Sequence, residues 1–174
     1  MLYDPTRHEA CLATPWDEAR ARAAIVQIVL DTEAHFSPER WWPAHPRDVD
    51  PGDPEPPVTG FPPLYFGAAG VVWALHHLQA VGAVTLERSY APFVATLPSL
   101  NQAWLGEDQR AGWASYLLGD TGVRLVEHAL APADRTADAP QALIAGTLDH
   151  PARATIWGAP GTMLTALSLP AQNT

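Results

Sequence analysis

A chain of 174 residues that is 47% hydrophobic, with a formal net charge of −9, carries enough apolar side chain for one domain with a real core. The acidic balance argues against a general nucleic-acid or anionic-membrane surface. A lone cysteine, Cys11, excludes an internal disulfide, and the longest nearly unbroken apolar run, Leu64 to Leu75, is too short to cross a bilayer.

The N-terminal MLYDPTRHEA has no apolar run behind a basic start, so no secretion signal is expected and the chain reads as soluble and cytoplasmic. A first helix is predicted from Thr14, where Thr14-Pro15-Trp16-Asp17 offers a capping hydroxyl, a proline and an acid, to about Phe36. Its expected buried stripe is Ile25, Ile28, Val29, Thr32 and Phe36, with Asp17, Glu18, Arg20 and Arg22 in solvent. Residues 38–63 hold nine of the 18 prolines, together with Asp48, Asp50, Asp53 and Glu55. That density forbids helix interiors and central strands and predicts an extended, solvated acidic loop, with Trp41 and Trp42 anchoring it to the body.

The stretch LYFGAAGVVWALHHL, Leu64 to Leu78, organises the rest. Its Gly67-Ala68-Ala69-Gly70 step runs straight into an apolar helical pattern. The same device recurs at Gly119-Asp120-Thr121-Gly122 before VRLVEHAL and at Gly158-Ala159-Pro160-Gly161 before TMLTALSL. Counted from the second glycine, the third residue is Trp73, Leu125 or Leu164, and the eighth is Leu78, Leu130 or Leu169. The copies lie about one helical hairpin plus loops apart, which reads as an internal repeat of paired helices. Glycine at a sharp helix entry supplies either a positive φ or room for close backbone approach, and it leaves N–H groups able to face an anion.

Between these copies, Thr85 to about Leu97 reads as an amphipathic helix with Tyr90, Phe93, Val94 and Leu97 buried, Pro92 in its interior and Pro98 closing it. Asn101 to Leu105 adds a turn, and Ala137 to Leu148 reads as an outer helix. No charged residue stands between Ala68 and Ala83, so the first glycine-led helix should be covered on nearly all sides. No alternating strand run occurs. Covered inner helices alternating with half-wet outer ones describe an all-α toroid or solenoid in which the glycine-led ends meet around one cavity. Residues at or near those helix mouths are its candidate lining: Tyr65, Phe66, Ser115, Asp120 and Trp157.

Other chemistry is thinly represented. His76 and His77 are adjacent, hence about 100° apart on a helix, and do not readily share a metal. His128 repeats the position of His76, and His8, His35, His45 and His150 form no ligand spacing. Asp120 and Glu127 are two turns apart on one helix, about 10 Å, beyond what retaining glycosidase chemistry uses and marginal for inverting, so a carbohydrate-active toroid is the less favoured reading.

The repeated glycine-led starts, with WPAHP ahead of LYFGAAGVVWAL, then SYLLGDTGV and WGAPGTML, resemble the lanthionine synthetase C-like family from about Trp41 to Leu169. The resemblance implies an (α/α)6 barrel, of which three inner helices make half, so that 1–174 corresponds to the N-terminal half of a member. Its best-known members bind zinc through two cysteines and a histidine in their C-terminal half and add a cysteine thiol to a dehydrated serine or threonine of a peptide; other members have unknown substrates. This chain has only Cys11, and Trp157 and Ser115 stand where cyclising members carry histidine and aspartate. No metal or cofactor is therefore expected in this chain. The resemblance implies a peptide substrate and a separately encoded second half; the alternative is a non-catalytic half-ring, a binding module or a truncated remnant. The helix after Gly161 has no charged residue to face water and the array ends without a polar capping unit, so self-association, a second half or marginal stability alone is expected.

Overall fold

A computed structural model describes residues 14–45, 60–106, 114–147, 154–156 and 158–168, with the backbone alone at 134–137 and 168. Among these residues the chain is all-helical and holds no named strand. Its helices are α1 (Glu18–Ala34), α2 (Ala68–Ala80), α3 (Ala91–Val94), α4 (Leu97–Leu105), α5 (Asp120–Leu130), α6 (Asp134–Gly146) and α7 (Ala159–Ser168). Helix α5 is the hub and packs against α2, α3, α4, α6 and α7.

The first helix begins later than Thr14. Asp17 caps it, its carboxylate accepting the Arg20 N–H at 3.0 Å, because a carboxylate there reaches the third free amide directly. The buried stripe also differs from expectation. Val29, Glu33 and Phe36 are buried, whereas Ile28 is 64% exposed and Val26 and Leu30 face outward. The stripe follows what packs on the C-terminal half of α1. Phe36 is ringed by Trp41, Trp42, Tyr90 and Phe93, with centroids 5.0 to 5.6 Å away, and the Arg88 guanidinium stands 5.5 Å from its ring. The Trp42 indole donates to the Thr32 carbonyl at 2.7 Å, so both tryptophans do fasten the start of the Pro-rich segment. Residues 46–59 of that segment, with its acidic residues, lie outside the described residues.

Glu33 is the polar member of this core. Its two carboxylate oxygens accept the Glu87 N–H at 3.2 and 3.0 Å, and one accepts the Tyr90 hydroxyl at 3.4 Å. Burial and the neighbouring carboxylate push the Tyr90 phenol up to about 12, so it remains a hydrogen-bond donor. These bonds hold 85–90 in a non-helical path, and the helix expected from Thr85 is absent. Pro92 and Pro98 each lie in the first turn of a helix, α3 and α4 respectively, where a missing N–H costs nothing. Pro98 opens a helix rather than closing one.

The second glycine of each glycine-led start lies against the carbonyl oxygen of the residue six places earlier: Gly70 on Leu64, Gly122 on Tyr116 and Gly161 on Thr155. A Cβ at any of the three collides with that oxygen. Close approach is thus the requirement, and not positive φ. The first glycines, Gly67 and Gly119, cap α2 and α5 in extended backbone with φ of −128° and −94°. The anion reading fails at α2 for a local reason: the Ala68 and Ala69 N–H groups already donate to the Phe61 and Pro62 carbonyls at 2.8 and 3.2 Å. Helix α2 is also less covered than its lack of charge suggests. It buries Ala68, Ala69, Val72 and Leu75, but Trp73 is 47% exposed.

Candidate functional site

The three glycine-led loops are joined in series. The Tyr65 N–H donates to the Leu117 carbonyl at 3.0 Å, linking the loop before α2 to the loop before α5. The Ser115 hydroxyl donates to the Ile156 carbonyl and links the second loop to the third. Side chains follow the same order. A methyl group on Gly122 would meet the Leu64 side chain at 2.8 Å, and one on Gly161 would meet Cβ of Tyr116 at 3.0 Å. Each loop therefore rests a side chain on the glycine of the next.

Beside the first two loops opens a cleft of about 580 Å³. Leu64, Tyr65, Phe66, Trp73, Tyr116 and Leu125 supply most of its apolar wall, and Gly67, Gly70 and Gly122 its backbone floor. No charged side chain lines it among the described residues. A second aromatic group stiffens its rim: Phe66 meets Phe61 at 5.1 Å, Trp104 at 5.7 Å and Tyr65 at 5.9 Å, all edge-on. Trp73 stacks on His77 with centroids 5.4 Å apart and planes 4° from parallel. Such a surface offers area and ring faces to an apolar or aromatic guest, and backbone polar groups near the glycines to orient it.

Of the candidates read from the sequence, Tyr65 and Phe66 line this cleft, 68% and 41% exposed. Ser115 and Asp120 do not. Ser115 is fully buried between loops, donating to Ile156 and accepting the Leu118 N–H at 3.2 Å. Asp120 is buried at the start of α5, where Asn101 donates to it at 3.0 Å and Gln102 to its other oxygen. Both are occupied in tying segments together. Trp157 lies outside the described residues. Trp73 and Leu125 were the lining residues a sequence reader had in hand, since they share the third place after the second glycine. Tyr116 carried no such signal.

Burial raises the Asp120 pKa above its ordinary 3.8, opposed by the Asn101 and Gln102 amides and by Arg124. Glu127, which shares α5 with it, is held by Arg124 at 2.9 Å. Neither carboxylate lines the cleft, so the arrangement supplies no acid–base pair there. Among the described residues no three of His, Cys, Asp and Glu gather as a metal-holding group, and Cys11 lies outside them. A thiol-activating zinc with two cysteine ligands does not fit a chain with one cysteine. A second hollow of about 440 Å³, bounded by His76, Gln79, Glu87, Arg88 and Tyr90, is more polar and lies against the α1 anchor. No helix is long and apolar enough to cross a membrane among the described residues. No family model matches the chain, and no curated protein or solved structure matches it.

Proposed function

We propose that this protein is a peptide-binding half-ring of the lanthionine synthetase C-like type, holding an apolar or aromatic peptide segment in the cleft between the starts of α2 and α5. The observation that carries this reading is the cleft itself: glycine-floored, with Tyr65, Phe66, Trp73, Tyr116 and Leu125 in its wall. The glycines let a guest's backbone approach the protein's backbone, and the rings supply contact area at low entropic cost. The family's thioether chemistry needs three zinc ligands that this chain does not provide. Its own contribution is recognition.

Fluorescence polarisation tests the reading with a labelled decapeptide of alternating Leu and Phe against its all-Ser counterpart. The apolar peptide binds and the serine peptide does not. Trp73→Ala and Tyr65→Ala, at half-exposed and exposed positions, each weaken binding about 5- to 10-fold, the scale of an aromatic anchor. Equal binding of the two peptides, or indifference to both substitutions, overturns it.

A further inference from the structure

Successive glycine loops touch twice within the chain, with the accepting carbonyl and the side chain on the glycine at matching register, although the donor is the Tyr65 N–H in one contact and the Ser115 hydroxyl in the other. Counted back from the second glycine, Leu117 and Ile156 occupy the same place, and each carbonyl accepts a hydrogen bond from the preceding loop. Leu64 and Tyr116 also share one place, and each lies on the second glycine of the following loop. The third loop presents the next member of that series, Thr155, and its side chain is exposed. The first loop presents the receiving end. Around Gly70, among the described residues, the nearest atoms are the backbone of its own Leu64, with no side chain lying on it as one lies on Gly122 and Gly161. Among the described residues, the third loop therefore presents the giving half of this contact and the first loop the receiving half.

The helices behind these loops show the same imbalance. At equal distances after the second glycine, α5 has Arg124 half-buried, Glu127 buried and His128 half-buried, whereas α7 has Met163, Ala166 and Leu167 exposed. Met163 and Leu167 are 65% and 85% exposed. Helix α5 packs against glycine-led helices α2 and α7, and α7 makes its main helix contacts, among the described residues, with α5 and α6. The exposed face of α7 is apolar, as expected of a surface made to be covered.

We propose that a second copy of this chain docks head-to-tail, its Gly70 loop receiving Thr155 and the apolar face of α7 from the first. The occupant follows from the chain's own interface: the surface that receives Leu64 and Tyr116 internally is built once more, and left open, on the first loop. Such a contact is heterologous, since the giving and receiving surfaces differ. The receiving loop also forms part of the cleft floor at Gly67 and Gly70, so a docked copy and a peptide guest compete for that surface.

Sedimentation velocity of the full chain over a wide concentration range tests the proposal, followed by a mixing experiment. Wild type is expected to sediment above monomer mass as concentration rises. The variant Thr155→Arg with Leu167→Glu, both at exposed positions, is expected to stay monomeric with unchanged circular dichroism. It retains the receiving loop, so tagged wild type should still capture it, whereas tagged variant should not. Leu167→Glu alone serves if the double variant misfolds, with the same pattern expected. A wild type that stays monomeric throughout overturns the proposal and leaves the edge to a different chain. A variant that associates like wild type overturns the interface. A variant that wild type cannot capture shows like-to-like pairing of α7 faces, and the head-to-tail geometry is then wrong.

Discussion

Helices α5 and α7 open with the same glycine spacing and the same close approach to a carbonyl six residues back, yet they occupy different surroundings. Helix α5 buries Asp120, Thr121, Gly122, Val123, Val126 and Glu127. Its turn is further fixed by the Thr121 hydroxyl, which donates to the Ala114 carbonyl at 2.7 Å. Helix α7 buries Thr162 and Thr165 and leaves Met163, Leu164 and Leu167 between 44% and 85% exposed. The more apolar of the two helices is the more exposed one. Coverage depends on how many neighbours a helix has, and the charged residues of α5 are tolerated inside because each finds a partner: Asp120 the amides of α4, Glu127 the guanidinium of Arg124.

The largest test of this comparison is at the shared glycines. Gly122→Ala places a Cβ against both the Tyr116 carbonyl and the Leu64 side chain, and should destabilise by about 3 kcal/mol or more in urea unfolding. Gly161→Ala meets the Thr155 carbonyl and Cβ of Tyr116, but on a helix with an open side, so the chain there can shift and the loss should be smaller. Equal losses would show that the turn alone, and not its surroundings, sets the cost.

A second pair separates coverage from composition. Val126→Ala, at a fully buried position on α5, should cost about 2 kcal/mol through lost burial and the cavity left behind. Leu167→Ala removes a larger side chain from α7 but should change monomer stability by less than about 0.5 kcal/mol. Measured at protein concentrations low enough to exclude association, a large loss at Leu167 would mean that α7 is covered after all.

The smallest effect is expected at Asp120, and it sharpens the account of the charges inside α5. Its pKa is raised in the folded state, chiefly by burial, so the folded protein holds that proton more tightly than the unfolded chain. Its contribution to stability is then present below the unfolded value of 3.8 and is lost as pH rises through the higher folded value. Asp120→Asn removes the charge, and turning the Asn101 amide would offer the new side chain the Asn101 Oδ1, a buried oxygen with no partner. Thermal melting across the acidic range should show the variant unchanged or slightly more stable near neutral pH, with this site's pH dependence abolished. A clear loss at neutral pH would show instead that the charge itself holds α4 to α5.

How much of this was legible depends on the distance over which each feature is decided. The glycine-led starts are legible because a glycine pair ahead of an apolar helical period is a local signal, and α2, α5 and α7 do start there. The reason assigned to them was half right, because close approach and positive φ look alike in sequence. Tyr65 and Phe66 were placed at the cleft from their position at a helix mouth. Ser115 and Asp120 had the same credentials, but partners from Ile156 and from α4 draw them inward, and nothing near them in sequence shows that.

The sequence by itself determined that the described residues are helical and that α2, α5 and α7 begin behind a glycine. These are short-range matters of backbone sterics and of an apolar period set within a few turns. Tertiary structure alone decided which apolar faces are covered, why Glu33 is buried while Ile28 is not, and that the loops before α2, α5 and α7 join in series. Each of those depends on a partner supplied from far along the chain, as Glu33 depends on Glu87 and Tyr90. Burial is a property of the pair in contact, and a sequence pattern describes only one of its members.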